Sequence, residues 1–462
     1  MDEFHSSHSR LTRAAGVLAG VLAGIVTVVL AGTALAHRIV QPATLPLLEA
    51  THLPPLLTTR AERTELRYDV YCARSEAEAE TPCAVNGAVF ARAGDTGTYQ
   101  VVAAQEEQGV SGTRFVALLP ESIARAATGF SYYAVFRSDE TDLVTTLPAG
   151  GAAAPQRSLP LGRSIGIALG SHSFGDGREA SERVAEAAWG TGLSEAGLEQ
   201  GKNLMPIGGS AFDVEEDGSV VVLDEANKRL LRWRGDGETP DAVPLAINGT
   251  MADMSIGEDG TVYVLETAGG HGAKPLLRTF DRDGGERATG AVAERPSQVR
   301  VGPEGPVVLQ SSSAQWMPAA REGRTVGVSG QINAAESGRP LSDGRRIVIL
   351  RHGNEVRVAL VGSAAVQRAW LVTSETPLAE VQLAEPYGTG VVLVTRVFTD
   401  DRDEFVVLVL DRRGIVKRFS LDSADWAETA PLSRFRLRGS SLYQLGSTSA
   451  GLFVDRFELE VE

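Results

Sequence analysis

A chain of 462 residues exceeds what one hydrophobic core supports, which leaves separate domains or a repeat array. The 50 glycines beside only 6% aromatics favour many short strands and tight turns, so an all-β fold is expected. A net charge of −15, from 44 basic and 59 acidic side chains, repels a phosphate backbone and argues against nucleic acid as a partner.

Residues 1–13 include Arg10 and Arg13 and precede an uncharged stretch, 14–36. As a helix that stretch would be about 34 Å long, against about 30 Å for a hydrocarbon core. The flanking arginines place the N-terminus inside the cell, so the expectation is a single-pass membrane anchor with an extracytoplasmic body. Ala34-Leu35-Ala36 has the small-x-small form of a signal-peptidase site, and cleavage after Ala36 would instead give a secreted protein. Residues 37–60 contain Pro42, Pro46, Pro54 and Pro55 and read as a semi-extended spacer.

Between 61 and 150 apolar residues alternate with polar ones: Leu66, Tyr68, Val70 and Cys72, then Phe115, Ala117 and Leu119, then Phe130, Tyr132, Ala134 and Phe136. That period predicts a small β-sandwich. The two cysteines, Cys72 and Cys83, are expected to pair, as an exported chain permits, contributing about 3 kcal/mol. Two thiols with no nearby histidine are too few ligands for zinc. The strand Gly129–Arg137, followed by Thr146-Leu147-Pro148, resembles fibronectin type III or immunoglobulin-like modules. Residues 151–162 open on Gly and Ala and read as a linker that leaves the flanking domains weakly coupled. Asp176–Ala188 has helical spacing, with Ala180, Val184, Ala187 and Ala188 on one side, and suits a short helix or a surface excursion.

The region 163–462 holds a repeat. Trp189-Gly190, Phe212-Asp213-Val214, the turn Asp217-Gly218, Val220–Asp224, then Asn227, Arg229 and Trp233 recur as Met251–Ile256, Asp259-Gly260 and Val262–Glu266, and more weakly at 296–309. Alternating strands around an Asp-Gly turn describe a hairpin that buries its faces only by stacking on copies of itself. This pattern resembles NHL-repeat β-propellers of bacterial secreted or membrane-anchored proteins, with Trp189, Phe212, Asp217, Gly218, Asp224, Asn227, Arg229, Asp259 and Gly260 as blade landmarks. At about 45–50 residues per blade the region accommodates about six. Ring closure is assigned to Ile165–Leu169 pairing with the hairpin of Leu442–Leu445 and Leu452–Val454.

Catalytic signatures are sparse. Neither a Gly-x-Ser-x-Gly elbow nor a phosphate-binding Gly-x-x-x-x-Gly-Lys occurs. The expectation is therefore a non-catalytic monomer without a cofactor that presents a propeller surface to a protein, peptide or cell-envelope glycan. The alternative is a lactonase- or lyase-type enzyme holding calcium or zinc in the channel through Asp224, Glu266, His172, His271 and His352. The plain structural reading makes the three histidines turn residues and Asp224 a cap of its own turn.

Overall fold

The computed structural model describes residues 46–460, apart from 60–62, 75–82, 109–112, 202–204, 236–238, 248, 268–273, 293–295, 311–313, 320–337, 364 and 430–432. The segment 14–36 and His271 lie outside the described residues. Among those described, no helix is long and apolar enough to cross a membrane.

The first nine strands are β1 (Leu47–His52), β2 (Leu57–Thr58), β3 (Glu65–Ala73), β4 (Asn86–Ala93), β5 (Gln100–Gln108), β6 (Thr113–Leu118), β7 (Phe130–Ser138), β8 (Leu143–Leu147) and β9 (Gln156–Pro160). They run in the order β1-β3-β6-β5-β4-β7-β9-β2, with β8 on β7. Strand β5 pairs with β4 through Gln100–Ala104 and with β6 through Gln105–Gln108, so it carries the sheet round a corner and lets two layers face each other. The alternation seen in the sequence supplies the core: Leu66, Tyr68, Val70, Phe115, Phe130, Tyr132 and Phe136 are buried together. Cys72 and Cys83 are disulfide-bonded with Cα atoms 5.4 Å apart.

Two boundaries differ from expectation. Residues 47–52 and 57–58 are strands rather than spacer: Leu48, Ala50 and His52 alternate inward, and the prolines stand outside the strands. The 151–162 stretch is ordered as well: β9 pairs with β7 and lies parallel to β2. Leu56, Leu57, Leu159 and Leu161 then pack on Val348, Ala359, Val361 and Ala369 of the following domain. Gln315 Nε2 donates to Gln156 Oε1 at 3.2 Å, and Arg357 Nη1 donates to the Leu57 carbonyl at 2.8 Å. The nine-stranded sheet and blade 4 are thus joined by this shared apolar cluster within a single compact unit, Thr44–Glu462.

Six further sheets form a six-bladed β-propeller. Ahead of the blades come β10 (Ile165–Ala168) and β11 (Glu182–Ala188). Blade 1 is β12 (Ala211–Val214), β13 (Val220–Asp224), β14 (Arg229–Trp233) and β15 (Asp241–Pro244); blade 2 is β16 (Thr250–Ile256), β17 (Val262–Thr267), β18 (Leu276–Phe280) and β19 (Glu286–Ala291). Blade 3 has β20 (Pro296–Gly302), β21 (Gly305–Gln310) and β22 (Gln315–Pro318) described, and blade 4 has β23 (Arg339–Pro340), β24 (Arg346–His352), β25 (Glu355–Val361) and β26 (Val366–Thr373). Blade 5 is β27 (Leu378–Tyr387), β28 (Gly390–Phe398), β29 (Asp403–Asp411) and β30 (Gly414–Asp422), and blade 6 ends the chain with β31 (Phe435–Arg438), β32 (Ser441–Ser447) and β33 (Gly451–Glu458). The first strand of each blade is innermost, and neighbouring ones meet: β12 touches β16 and β31, β16 touches β20, and β27 touches β31.

All five residues of β13 are buried, as expected of a strand covered on both faces by stacked blades. The Asp-Gly turns form as predicted: Gly218 and Gly260 take φ of +86° and +77°, where a side chain would be strained. Asp217 and Asp259 accept the backbone N–H groups of Ser219 and Thr261.

Closure follows a different route from the expected one. Ile165–Ala168 lies parallel to Trp370–Thr373 as a fifth strand on the outer edge of blade 4. The chain next touches blade 5 where Gly177 bridges Ser420, and β11 completes blade 6 by pairing antiparallel with β33. Residues 176–188 therefore supply a strand and not a helix. Ala185 and Ala187 face inward while Glu182 and Glu186 face out, a period-two pattern that the alanines and glutamates also allow at helical spacing.

Candidate functional site

Two places gather side chains from several blades: the propeller axis and the loop-bearing face above it.

On the axis all six innermost strands contribute a charge: Asp213, Asp253, Arg300, Arg339, Glu385 and Arg436. Asp253 is fully buried and is the hub. It accepts the Val299 N–H at 3.0 Å, Arg300 Nη1 at 2.6 Å, Ser433 Oγ at 2.6 Å and Arg436 Nη2 at 3.3 Å, tying blades 2, 3 and 6 together. Arg436 also donates to the Met254 carbonyl, and its Nε lies 3.7 Å from Asp213 Oδ1. Asp213 in turn accepts the Ile256 N–H at 2.8 Å, and Arg339 pairs with Glu385. Burial, and after it the neighbouring Arg300 charge, pulls the Arg436 pKa down. Three acids against three bases make the axis neutral, with the protein's own groups as partners.

The loop-bearing face is built differently. Because strands alternate in direction within a blade, the second-to-third strand hairpins and the connections to the next blade emerge on the same face. There the loop after β11 opens on Trp189, whose indole N–H donates to the Thr448 carbonyl at 2.9 Å. Its ring stands 6.1 Å from that of Trp426, which belongs to the connection between blades 5 and 6. A Cβ on Gly208 would meet the Trp189 ring at 2.6 Å, so only glycine lets the chain pass beneath the indole. The Glu428 N–H donates to the Pro206 carbonyl at 2.8 Å and ties the segment after Met205 to the one that carries Trp426. Trp426, Met205 and Leu193 are 36%, 55% and 79% exposed.

Blade-1 landmarks hold this loop in place. Arg229 Nη2 donates to the Gly192 carbonyl at 2.8 Å and the Glu195 carbonyl at 2.5 Å, and Asn227 Nδ2 donates to the Gly190 carbonyl at 3.1 Å. Asp224 accepts the Gly197 N–H and Arg229 Nε, at 3.0 and 2.8 Å. These residues set the turn that displays Leu193.

The described residues named for a metal, Asp224, Glu266, His172 and His352, are dispersed. Asp224 is engaged by Arg229, and Glu266 by Arg278 and the Gly249 N–H. His172 Nε2 meets Glu404 Oε2 at 2.8 Å between blades 4 and 5. His352 is exposed at a hairpin tip before Gly353, which has φ of +58°. Among the described residues no three His, Cys, Asp or Glu side chains are grouped to hold a metal ion. The opposite face carries an open cleft of about 490 Å³ lined by Glu216, Asp217, Glu258, Arg438, Ser441 and Tyr443. Its Asp217 carboxyl is held down to a pKa of about 2, chiefly by the Ser219 N–H.

No family model matches this sequence, and no curated relative does. Similar solved structures include YCF48 from Cyanidioschyzon merolae, with 16% identity, 56% of this chain and 98% of that one covered, and a TM-score of 0.30. Another is the PQQ-bound aldose sugar dehydrogenase from Streptomyces coelicolor, at 10% identity, 60% and 98% coverage, and a TM-score of 0.36. A streptogramin B lyase gives 9% identity, 53% and 78% coverage, and a TM-score of 0.31. At such scores the likenesses say nothing about activity, and the propeller rests on this chain's own sheets.

Proposed function

We propose that this chain is a non-catalytic binding platform, held outside the cytoplasm by residues 14–36, whose propeller presents a partner-binding surface around Trp426. The carrying observation is that Trp426, beside Trp189, and Met205 and Leu193 are all exposed on loops of one face that hydrogen bonds hold in place. Large apolar groups displayed together on a rigid face lose little entropy on binding and shed water when covered. The disulfide supports an oxidising compartment. On this reading the blades are NHL-type, the sandwich is a fibronectin type III-like spacer fused to blade 4, and the partner is a protein or peptide.

Capture from cell-envelope extract by the full chain and by its Trp426→Ala variant tests the proposal. A band retained by the parent and lost by the variant supports it, and identical capture by both overturns it.

A further inference from the structure

We infer that the cleft of Glu216, Glu258, Arg438 and Tyr443 binds a small zwitterion of the amino-acid type, a molecule that carries one carboxylate and one ammonium group. The cleft lies on the face opposite Trp426, so the inference goes beyond the platform reading and does not depend on it.

The cleft forms where the turns between first and second strands of three consecutive blades meet, with residues 438–441 from blade 6, 216–218 from blade 1 and Glu258 from blade 2. One of its acids is already engaged. Asp217 accepts the Ser219 N–H and Arg282 Nη2, each at 2.9 Å, and Arg282 and Arg232 together balance Asp217 and Glu215. Glu216, Glu258 and Arg438 are not engaged. They line one cleft, yet among the described residues Arg438 forms an ion pair with neither acid, and neither acid has another cation.

Tyr443 is a second and independent sign. It is 6% exposed and packs with Val214, Val220 and Leu445, it lines the cleft, and no group among the described residues hydrogen-bonds to its hydroxyl. A tyrosine so deeply buried ordinarily has a partner for its hydroxyl, and here the cleft is where one would sit.

The set of groups selects the ligand. A lone anion would meet Glu216 and Glu258, a lone amine would meet Arg438, and a neutral solute would desolvate all three charges without pairing any. A zwitterion answers both signs: its carboxylate takes the Arg438 fork and the Tyr443 hydroxyl, and its ammonium takes Glu216 and Glu258. No three metal-binding side chains are grouped among the described residues, so a metal ion is a poor fit. The volume of about 490 Å³ holds an amino acid or a dipeptide. Apart from Tyr443 the wall has no large apolar side chain, so recognition rests on the charged ends of the ligand.

The test is saturation-transfer NMR on the full chain in non-ionic micelles, with the dipeptide Ala-Ala, its N-acetyl form and its C-terminal amide as probes. Ala-Ala should bind with a Kd of about 1 mM, and each blocked form about fivefold more weakly. Arg438→Gln should erase the advantage of Ala-Ala over the amide, and Glu216→Gln combined with Glu258→Gln should erase its advantage over the N-acetyl form. Tyr443→Phe should weaken Ala-Ala by about threefold without moving the unfolding midpoint. Trp426→Ala should leave all three probes unchanged, which separates this site from the partner surface. A blocked form that binds as well as Ala-Ala, Ala-Ala binding untouched by Arg438→Gln, or no saturation transfer at about 10 mM would each overturn the assignment.

Discussion

The axis and the loop-bearing face both draw residues from several blades, yet their side chains meet opposite fates. On the axis Asp253 is wrapped by an amide, a hydroxyl and two guanidinium groups, all from this chain. On the face Trp426, Met205 and Leu193 stand in water. A buried polar group with its partners built in is architecture, since a ligand could only displace bonds already made. An exposed apolar cluster on a held loop has its contacts still to make.

The comparison breaks first where stability should depend on charge. Asp253→Ala leaves Arg300 and Arg436 buried without their shared counter-ion and should destabilise by about 3–5 kcal/mol. Denaturant unfolding should show it as a lower midpoint; a loss below about 1 kcal/mol would mean that the axis is hydrated and open to ligands. Cys72→Ser should cost about 3 kcal/mol, and because β2 and β9 pack into blade 4 the propeller transition should move with it. Separate melting of the sandwich alone would show that the shared core is weak.

A third effect depends on pH. His52 is buried between Tyr68 and Tyr132, with Nε2 2.7 Å from the Tyr132 hydroxyl and Nδ1 2.7 Å from the Arg67 carbonyl. Burial lowers its pKa from 6.5 to about 4. The unfolded chain therefore binds the extra proton first, and stability present above pH 6.5 is lost as pH falls towards 4, by about 2 kcal/mol at pH 5. His52→Gln should flatten that slope in acid unfolding measurements. The smallest stability change belongs to the face: Trp426→Ala should shift unfolding by about 1 kcal/mol or less while abolishing partner capture.

The blades were legible because Asp217-Gly218 and Asp259-Gly260 mark each turn and the apolar alternation around them is local. Blade 4 keeps such a turn at Asp343-Gly344, with Gly344 at φ of +79°, while blades 5 and 6 lack it but keep runs such as Val391–Val394 and Phe405–Leu410, enough to count strands. The closing strand was not legible, since Ala185 and Ala187 with their flanking glutamates fit both periods and the partner, β33, lies more than 260 residues away. The axis was hidden for the same reason of distance. Asp213 and Asp253 stand in the recognised motif, but Arg436 follows Asp253 by 183 residues, and nothing local marks it. The face had one legible sign, Trp189, whose neighbour Trp426 comes from the far end of the chain.

The most direct test of the central claim is photocrosslinking in cells with a benzophenone amino acid placed at Leu193 on one face or at Glu258 on the other. The account predicts a discrete adduct from position 193 that disappears with Trp426→Ala, and none from position 258. Adducts from 258 alone would move the partner to the cleft of Glu216 and Arg438 and contradict it.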